Sequence, residues 1–340
     1  MNKLTLKLLA LSALLFANVN FSQAQDDIDQ LLDAGVGDAT KLIEGYVSPF
    51  MIGFGTGLSN GWYNTAKAHK TAGFDLTVTV NAAYIPDKDL FYNVNKLNLQ
   101  TVELDDAAYP DGNIPTLFGP DSETPTFREI STGETFEGPT GLGIESEYNV
   151  NAVPVPMAQL GIGIVKNTDI KIRWTPEIDI DNQGKVKLLG FGVMHDVKQY
   201  IPGLKERKFD LSAFVGYTNL RAEIDFTDND PTQNQYGEFE VSTLTVQGLI
   251  SKKLSVLTVY GGLGFNRVRS DFNLKGEYDL NDDGDFEDRY EVDPISMKFK
   301  SGGPRITAGM RLKLAILTLH ADYTIQKYKT LTLGVGLSIR

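Results

Sequence analysis

The residues that could do chemistry fall in a few places along the chain. The sharpest motif is Asp279-Leu280-Asn281-Asp282-Asp283-Gly284-Asp285. It has the D-x-[DN]-x-[DN]-G form of the first half of a calcium loop. In such a loop alternate side-chain oxygens converge on one Ca²⁺ and the glycine permits the sharp turn. Asp279, Asn281, Asp283 and Asp285 are the expected ligands. The position that normally supplies a bidentate glutamate is Tyr290, with Glu287, Asp288 and Glu291 close by as substitutes. The flanking segments read as strands rather than helices, so the competing reading is a solvated acidic loop tip.

Gly57-Leu58-Ser59-Asn60-Gly61 matches G-x-S-x-G. A nucleophile elbow needs a strand-to-helix turn and a histidine partner. Ser59 instead falls between a helical segment and a strand-like one, and short Gly/Ser matches arise by chance, so no enzyme is expected. The histidines, His69, His195 and His320, form no pair with metal-ligand spacing. Charged residues placed on the polar side of alternating segments are the candidates for a lumen: Lys171, Arg173, Glu177, Asp179, Asp196, Lys198, Arg311, Lys313, His320 and Asp322. They would either pin an internal plug or line a polar route. Tyr46, Phe50 and Phe54 give the segment before them an apolar face that suits a small hydrophobic ligand.

The elements that must position these residues are mostly strands. Ile170, Ile172, Trp174, Ile178 and Ile180 alternate with Lys171, Arg173, Thr175, Glu177 and Asp179. The same period of two runs through residues 306–314, 317–325 and 331–339. Alternation alone says that one face is apolar. Two further features favour a membrane barrel over a soluble sandwich. The polar side carries glycine or full charges, and the apolar side is aliphatic with Trp174 and Tyr323 near strand ends. Tight connections also alternate with long acidic ones at residues 104–148, 227–237 and 274–294, as turns on one side of a membrane and loops on the other would.

The chain of 340 residues opens with Lys3 and Lys7, an apolar run over residues 8–17 and Ser22-Gln23-Ala24, the pattern of a signal peptide cleaved after Ala24. Residues 25–58 read as two short helices separated at Gly35, the second capped by Asp38 and broken by Pro49 and the Gly53, Gly55, Gly57 series. This apolar segment is expected to plug the barrel formed by residues 59–340. There is no cysteine, and 44 acidic against 32 basic residues give a net charge of −12, which argues against a nucleic-acid partner. The expected fold is all-β: an antiparallel transmembrane barrel of about 12 strands, within 10 to 14, with an N-terminal helical plug. The first strands are expected at residues 59–67, 72–84 and 92–104. Outer-membrane lipids and the barrel-assembly machinery are the expected partners, in a Gram-negative outer membrane. No cofactor is required, and the acidic outer loop is a candidate site for a Ca²⁺.

Gly61-Trp62-Tyr63-Asn64-Thr65-Ala66, Gly73-Phe74-Asp75-Leu76-Thr77, Tyr84-Ile85-Pro86-Asp87, Gly190-Phe191-Gly192-Val193 with His195-Asp196, and Phe209-Asp210-Leu211-Ser212-Ala213 resemble a family of uncharacterised outer-membrane barrels that carries a domain-of-unknown-function label. The resemblance covers most of the chain and implies a barrel without implying a chemistry. In architecture the chain is also similar to long-chain fatty-acid transporters, with a helical hatch ahead of a barrel. Two functions stand side by side: passive transport of a small hydrophobic or amphipathic molecule through a plugged lumen, and a structural or surface-interaction barrel with calcium-binding loops.

Overall fold

The structure is a computed structural model that describes residues 35–179, 184–225, 235–277 and 292–339. The expected signal peptide, the first part of the expected plug and the acidic motif Asp279 to Asp285 lie outside those residues.

A helix, α1 (Val36–Leu58), precedes strand β1 (Phe74–Tyr84). An insertion follows with five short strands, β2 (Phe91–Asn93), β3 (Val102–Leu104), β4 (Asn113–Pro115), β5 (Thr126–Glu129) and β6 (Thr135–Glu137), and a short helix, α2 (Ile144–Tyr148). The long strands are β7 (Ala152–Ile164), β8 (Thr168–Asp179), β9 (Gly184–Asp196), β10 (Asp210–Asp225), β11 (Tyr236–Leu254), β12 (Leu257–Lys275), β13 (Ile295–Leu314), β14 (Leu317–Ile325) and β15 (Thr330–Ile339). β1 and β7 to β15 close into one antiparallel barrel, with β1 paired to both β7 and β15. Closure removes the exposed strand edges that an open sheet would present.

The barrel therefore has ten strands rather than twelve. Residues 59–67 are irregular and run inside the wall, where Ser59, Asn60, Trp62, Tyr63, Thr65 and Ala66 are buried. Their mixture of polar and aromatic types imitates a strand, but side chains of the wall hold them instead of a ladder. Residues 92–104 yield only β2 and β3, three residues each, paired with β4 and β5 within the insertion.

The connections sort by end. Tight hairpins with positive φ at Lys166, Asn167, Ser255 and Ala315 lie at one end, with residues 197–209 between β9 and β10. The insertion, residues 85–151, and the connections after β10 and β12 lie at the other. These are the turn end and the loop end below. Along β11 the inward set includes Phe239, Val241, Thr243, Thr245 and Gln247, all buried. The outward set Leu244, Val246 and Ile250 is exposed, and Leu263, Phe265, Ile306, Met310, Leu333 and Val335 continue an apolar outer band around the wall. Trp174 and Tyr323 also face outward.

Helix α1 lies in the lumen against β1, β7, β11, β12 and β13. The expected break does not occur: the helix runs through Pro49 to Leu58. Its glycines serve contact with the wall instead. A Cβ on Gly55 would lie 2.2 Å from Val268 Cγ1, and one on Gly57 would lie 2.6 Å from Val155 Cγ2. Packing of this kind overrides the weak helix propensity of glycine. Asp38 does not cap the helix. It lies in the first turn and accepts hydrogen bonds from the Thr101 N–H at 2.7 Å, the Gln100 N–H and the Lys41 ammonium at 2.8 Å. Burial raises the Asp38 carboxyl, but these donors outweigh it and hold the group below its ordinary value of 3.8. The carboxylate thus ties the start of α1 to the insertion at the loop end.

Candidate functional site

The lumen is layered along its axis, and residues 35–73 thread it from the loop end to the turn end. In the loop-end half the inward residues are apolar. Phe50 and Phe54 of α1 pack on Phe239, with ring centroids 6.1 and 5.5 Å from it, and Leu188 and Leu220 join the same core. Tyr46 is turned toward the insertion, where its hydroxyl donates to the Thr140 carbonyl at 2.9 Å.

At mid-depth the helix ends, and two buried arginines hold the carbonyls at and just past its end. Arg173 donates to the Leu58 carbonyl at 2.9 Å, the Asn60 carbonyl at 2.5 Å and Gln159 Oε1 at 3.1 Å, with its guanidinium stacked 3.5 Å from the Trp62 ring centroid. Arg305 donates to the Ser59 carbonyl at 3.1 Å and to Asn60 Oδ1. A helix C-terminus leaves four carbonyls without helical partners and carries partial negative charge, so cations there are stabilising. The peptide dipoles thereby help to compensate two guanidinium groups that burial alone would disfavour.

Below the arginines sits an aromatic knot. Trp62 and Tyr63 pack on Phe214 at 5.5 and 5.9 Å, and Tyr63 packs on Tyr260 at 6.1 Å. The indole lies over Gly192 and Gly216, which are paired across β9 and β10. A Cβ at either would come within 3.0 Å of Trp62, so glycine is what admits the ring. Tyr63 donates to Gln247 Oε1 at 3.0 Å, and Tyr260 donates to Asp322 at 2.9 Å. A cavity lined by Ser59, Trp62, Tyr63, Gln247, Arg305 and Asp322 has room for about one water.

The floor at the turn end is charged. His69 meets Asp169 at 2.9 Å and Asp75 at 3.4 Å, and Lys171 lies 3.9 Å from Asp75 and 4.0 Å from Asp169. Arg311 faces His320 across the β13–β14 ladder, with the His320 ring over Gly334. Neither His320 ring nitrogen has a hydrogen-bond partner among the described residues.

Of the lumen residues expected from sequence, Lys171, Arg173, Arg311, His320 and Asp322 are inward and buried. Five are not. Asp179 is exposed, and Lys198 and Lys313 are half-buried at the turn end, donating to the Phe209 carbonyl at 2.6 Å and the Ser338 carbonyl at 3.0 Å. A β-bulge between Thr175 and Ile178 inverts the alternation, so Glu177 is exposed beyond the wall and pairs with Lys187 at 3.5 Å. Asp196 ends β9 at the turn end and accepts from the Lys198 N–H at 2.9 Å, structuring the turn rather than the lumen. Ser59 is no nucleophile elbow. It is the C-cap of α1, and its hydroxyl donates to the Thr56 carbonyl at 2.7 Å and accepts from Asn266 at 3.1 Å. Arg305 was legible from parity, since it shares a face with Thr307, Gly309 and Arg311. Trp62, Tyr63 and His69 carried no such signal, because their roles depend on contacts far away in sequence. Among the described residues no group of three or more His, Asp or Glu is arranged to hold a metal ion.

Comparison with solved structures returns barrels. Ail, the attachment invasion locus protein of Yersinia pestis, is 8% identical over 79% of this chain and 98% of its own, with a TM-score of 0.27. The translocator domain of autotransporter NalP from Neisseria meningitidis is 10% identical over 80% of this chain and 90% of its own, at 0.30. A loop-deletion mutant of OmpT, an outer membrane protein of Vibrio cholerae, is 11% identical over 78% and 76%, at 0.22. Likeness at this level is loose. Comparison with curated protein sequences gave no match. The sequence, matched over residues 1–339, belongs to the family described as "Family of unknown function (DUF6588)".

Proposed function

We propose that the protein is an outer-membrane barrel of a Gram-negative bacterium, closed by its own N-terminal segment, that acts through its loop-end surface rather than as an open pore. The filled lumen carries this reading. Residues 35–73 occupy it from end to end, held by Arg173 and Arg305 at mid-depth and by the His69 contacts at the floor. The apolar outer band supports the membrane location. Outer-membrane lipids and the barrel-assembly machinery are then its partners. The insertion, packed on the start of α1, supplies the surface at which it would act.

The test is conductance in a planar bilayer, comparing the mature chain with a form lacking residues 25–73. The intact protein is expected to be silent and the shortened one to conduct. Steady conductance by the intact, folded chain would overturn the closed-barrel reading. Passage of a small hydrophobic molecule is the second reading, favoured by Phe50, Phe54, Leu188, Leu220 and Phe239 around the loop-end half of the lumen. It requires α1 to shift, so retention of an apolar dye only when the arginine contacts are weakened would support it.

A further inference from the structure

On the outer face of the wall, charge is balanced on some strands and not on others. Toward the loop end from the apolar band, Lys187 on β9 pairs with Glu177, and Arg221 on β10 pairs with Glu240 at 3.1 Å. On β12 and β13 the pattern differs. Arg269 stands directly opposite Lys300, and Arg267 occupies the next outward position toward the apolar band. All three are exposed. Their β11 neighbours are Ser242 opposite Arg269 and Leu244 opposite Arg267, neither an acid. The nearest acid on this face, Asp271, stands opposite Lys298 on one side and Glu240 on the other.

Like charges directly opposite one another destabilise a ladder. Here three cations cluster on a chain whose net charge is −12. β12 continues beyond Arg269 to Lys275, and Glu277 lies roughly 27 Å further along the chain at about 3.4 Å per residue. Immediately below, Phe265 beside Pro304 and Leu263 beside Ile306 begin the apolar band. The cations thus occupy the level at which lipid tails give way to headgroups.

We propose that Arg267, Arg269 and Lys300 seat the phosphate of an anionic lipid headgroup in the leaflet at the loop end. This rests on the membrane reading above. Arginine forks match phosphate oxygens two at a time and lysine adds a point charge, so one phosphate group would satisfy the cluster and remove its repulsion.

The experiment is urea unfolding of the mature chain folded into phosphatidylcholine vesicles with and without lipid A. The wild type is compared with a variant carrying Arg267→Gln, Arg269→Gln and Lys300→Gln, and with Lys185→Gln/Lys187→Gln as a control. In neutral vesicles the triple variant is expected to unfold at the same urea concentration as the wild type or higher, because the repulsion is gone. Lipid A is expected to raise the midpoint of the wild type and the control by roughly 0.5 M and to leave the triple variant unmoved. Equal shifts in wild type and triple variant overturn the proposal. So does an equal shift when inorganic phosphate is added to neutral vesicles, which marks a free-anion effect. A wild-type chain that folds into neither kind of vesicle sinks the membrane reading and this proposal together.

Discussion

Arg305 reaches from β13 to the chain at the end of α1. Its guanidinium joins the wall to the residues just past α1, and both partners are buried. Arg305→Met keeps most of the volume and removes the donors. Hydrogen bonds to charged groups are worth about 1.5–3 kcal/mol each, so a loss of stability in that range is expected. Trp62 reports it: with Trp174→Phe as background, the remaining indole should shift its emission to the red as water reaches it. An unshifted spectrum with unchanged stability would show that Arg305 is dispensable. Asp38 makes the second residue-scale prediction. Its folded carboxyl lies below the ordinary value, so its contribution to stability is complete above about 3.8 and is lost as pH falls through the lower folded value. The protection of the Gln100 and Thr101 amides against hydrogen exchange, relative to the intrinsic rate at each pH, should therefore fall on acidification below that point. Asp38→Asn should abolish the pH dependence, and an Asn variant that keeps it would assign the effect elsewhere.

At the scale of elements, α1 is a helix only because the wall surrounds it. Five glycines and Pro49 in 23 residues leave it little propensity of its own, and most helical stability in proteins comes from tertiary packing. Gly55 is the closest approach. Gly55→Ala gains helix propensity of about 1 kcal/mol but drives a methyl into Val268, an overpacking cost of about 1–3 kcal/mol. Net destabilisation is expected, and Val268→Ala in the same chain should recover it. Additive losses in that double-mutant cycle would mean that the two positions do not touch. The wall has its own local logic: the bulge at Thr175 to Ile178 turns Glu177 away from the lumen that simple parity assigned to it.

For the molecule as a whole, the direction of threading has a consequence for topology. The start of α1 is bonded to the insertion at the loop end, while His69 is bonded at the turn end. Gly37 is exposed with open space around it, and the chain has no cysteine. Gly37→Cys should therefore react with a membrane-impermeant maleimide on intact cells. Ser255→Cys, in a turn-end hairpin, should react only after the envelope is opened. Labelling of Ser255→Cys alone on intact cells would invert the proposed orientation.

The period of two in residues 306–339 determined the strands and their faces without help from the rest of the chain, because in a strand each residue's side follows from its neighbour's. The same rule placed Lys171, Arg173, Arg311, His320 and Asp322 inside the barrel. It failed where sequence neighbours stop deciding position. Residues 59–67 look like a strand and become a buried tether, because Gly192 and Gly216 on distant strands open a space for Trp62. Pro49 and the glycines look like a helix end and become its contact face, because Val155 and Val268 lie against it. Strand count, closure and the grip of two arginines on a helix end come from contacts between residues a hundred or more apart in the chain, and only the tertiary structure decides which of those contacts form.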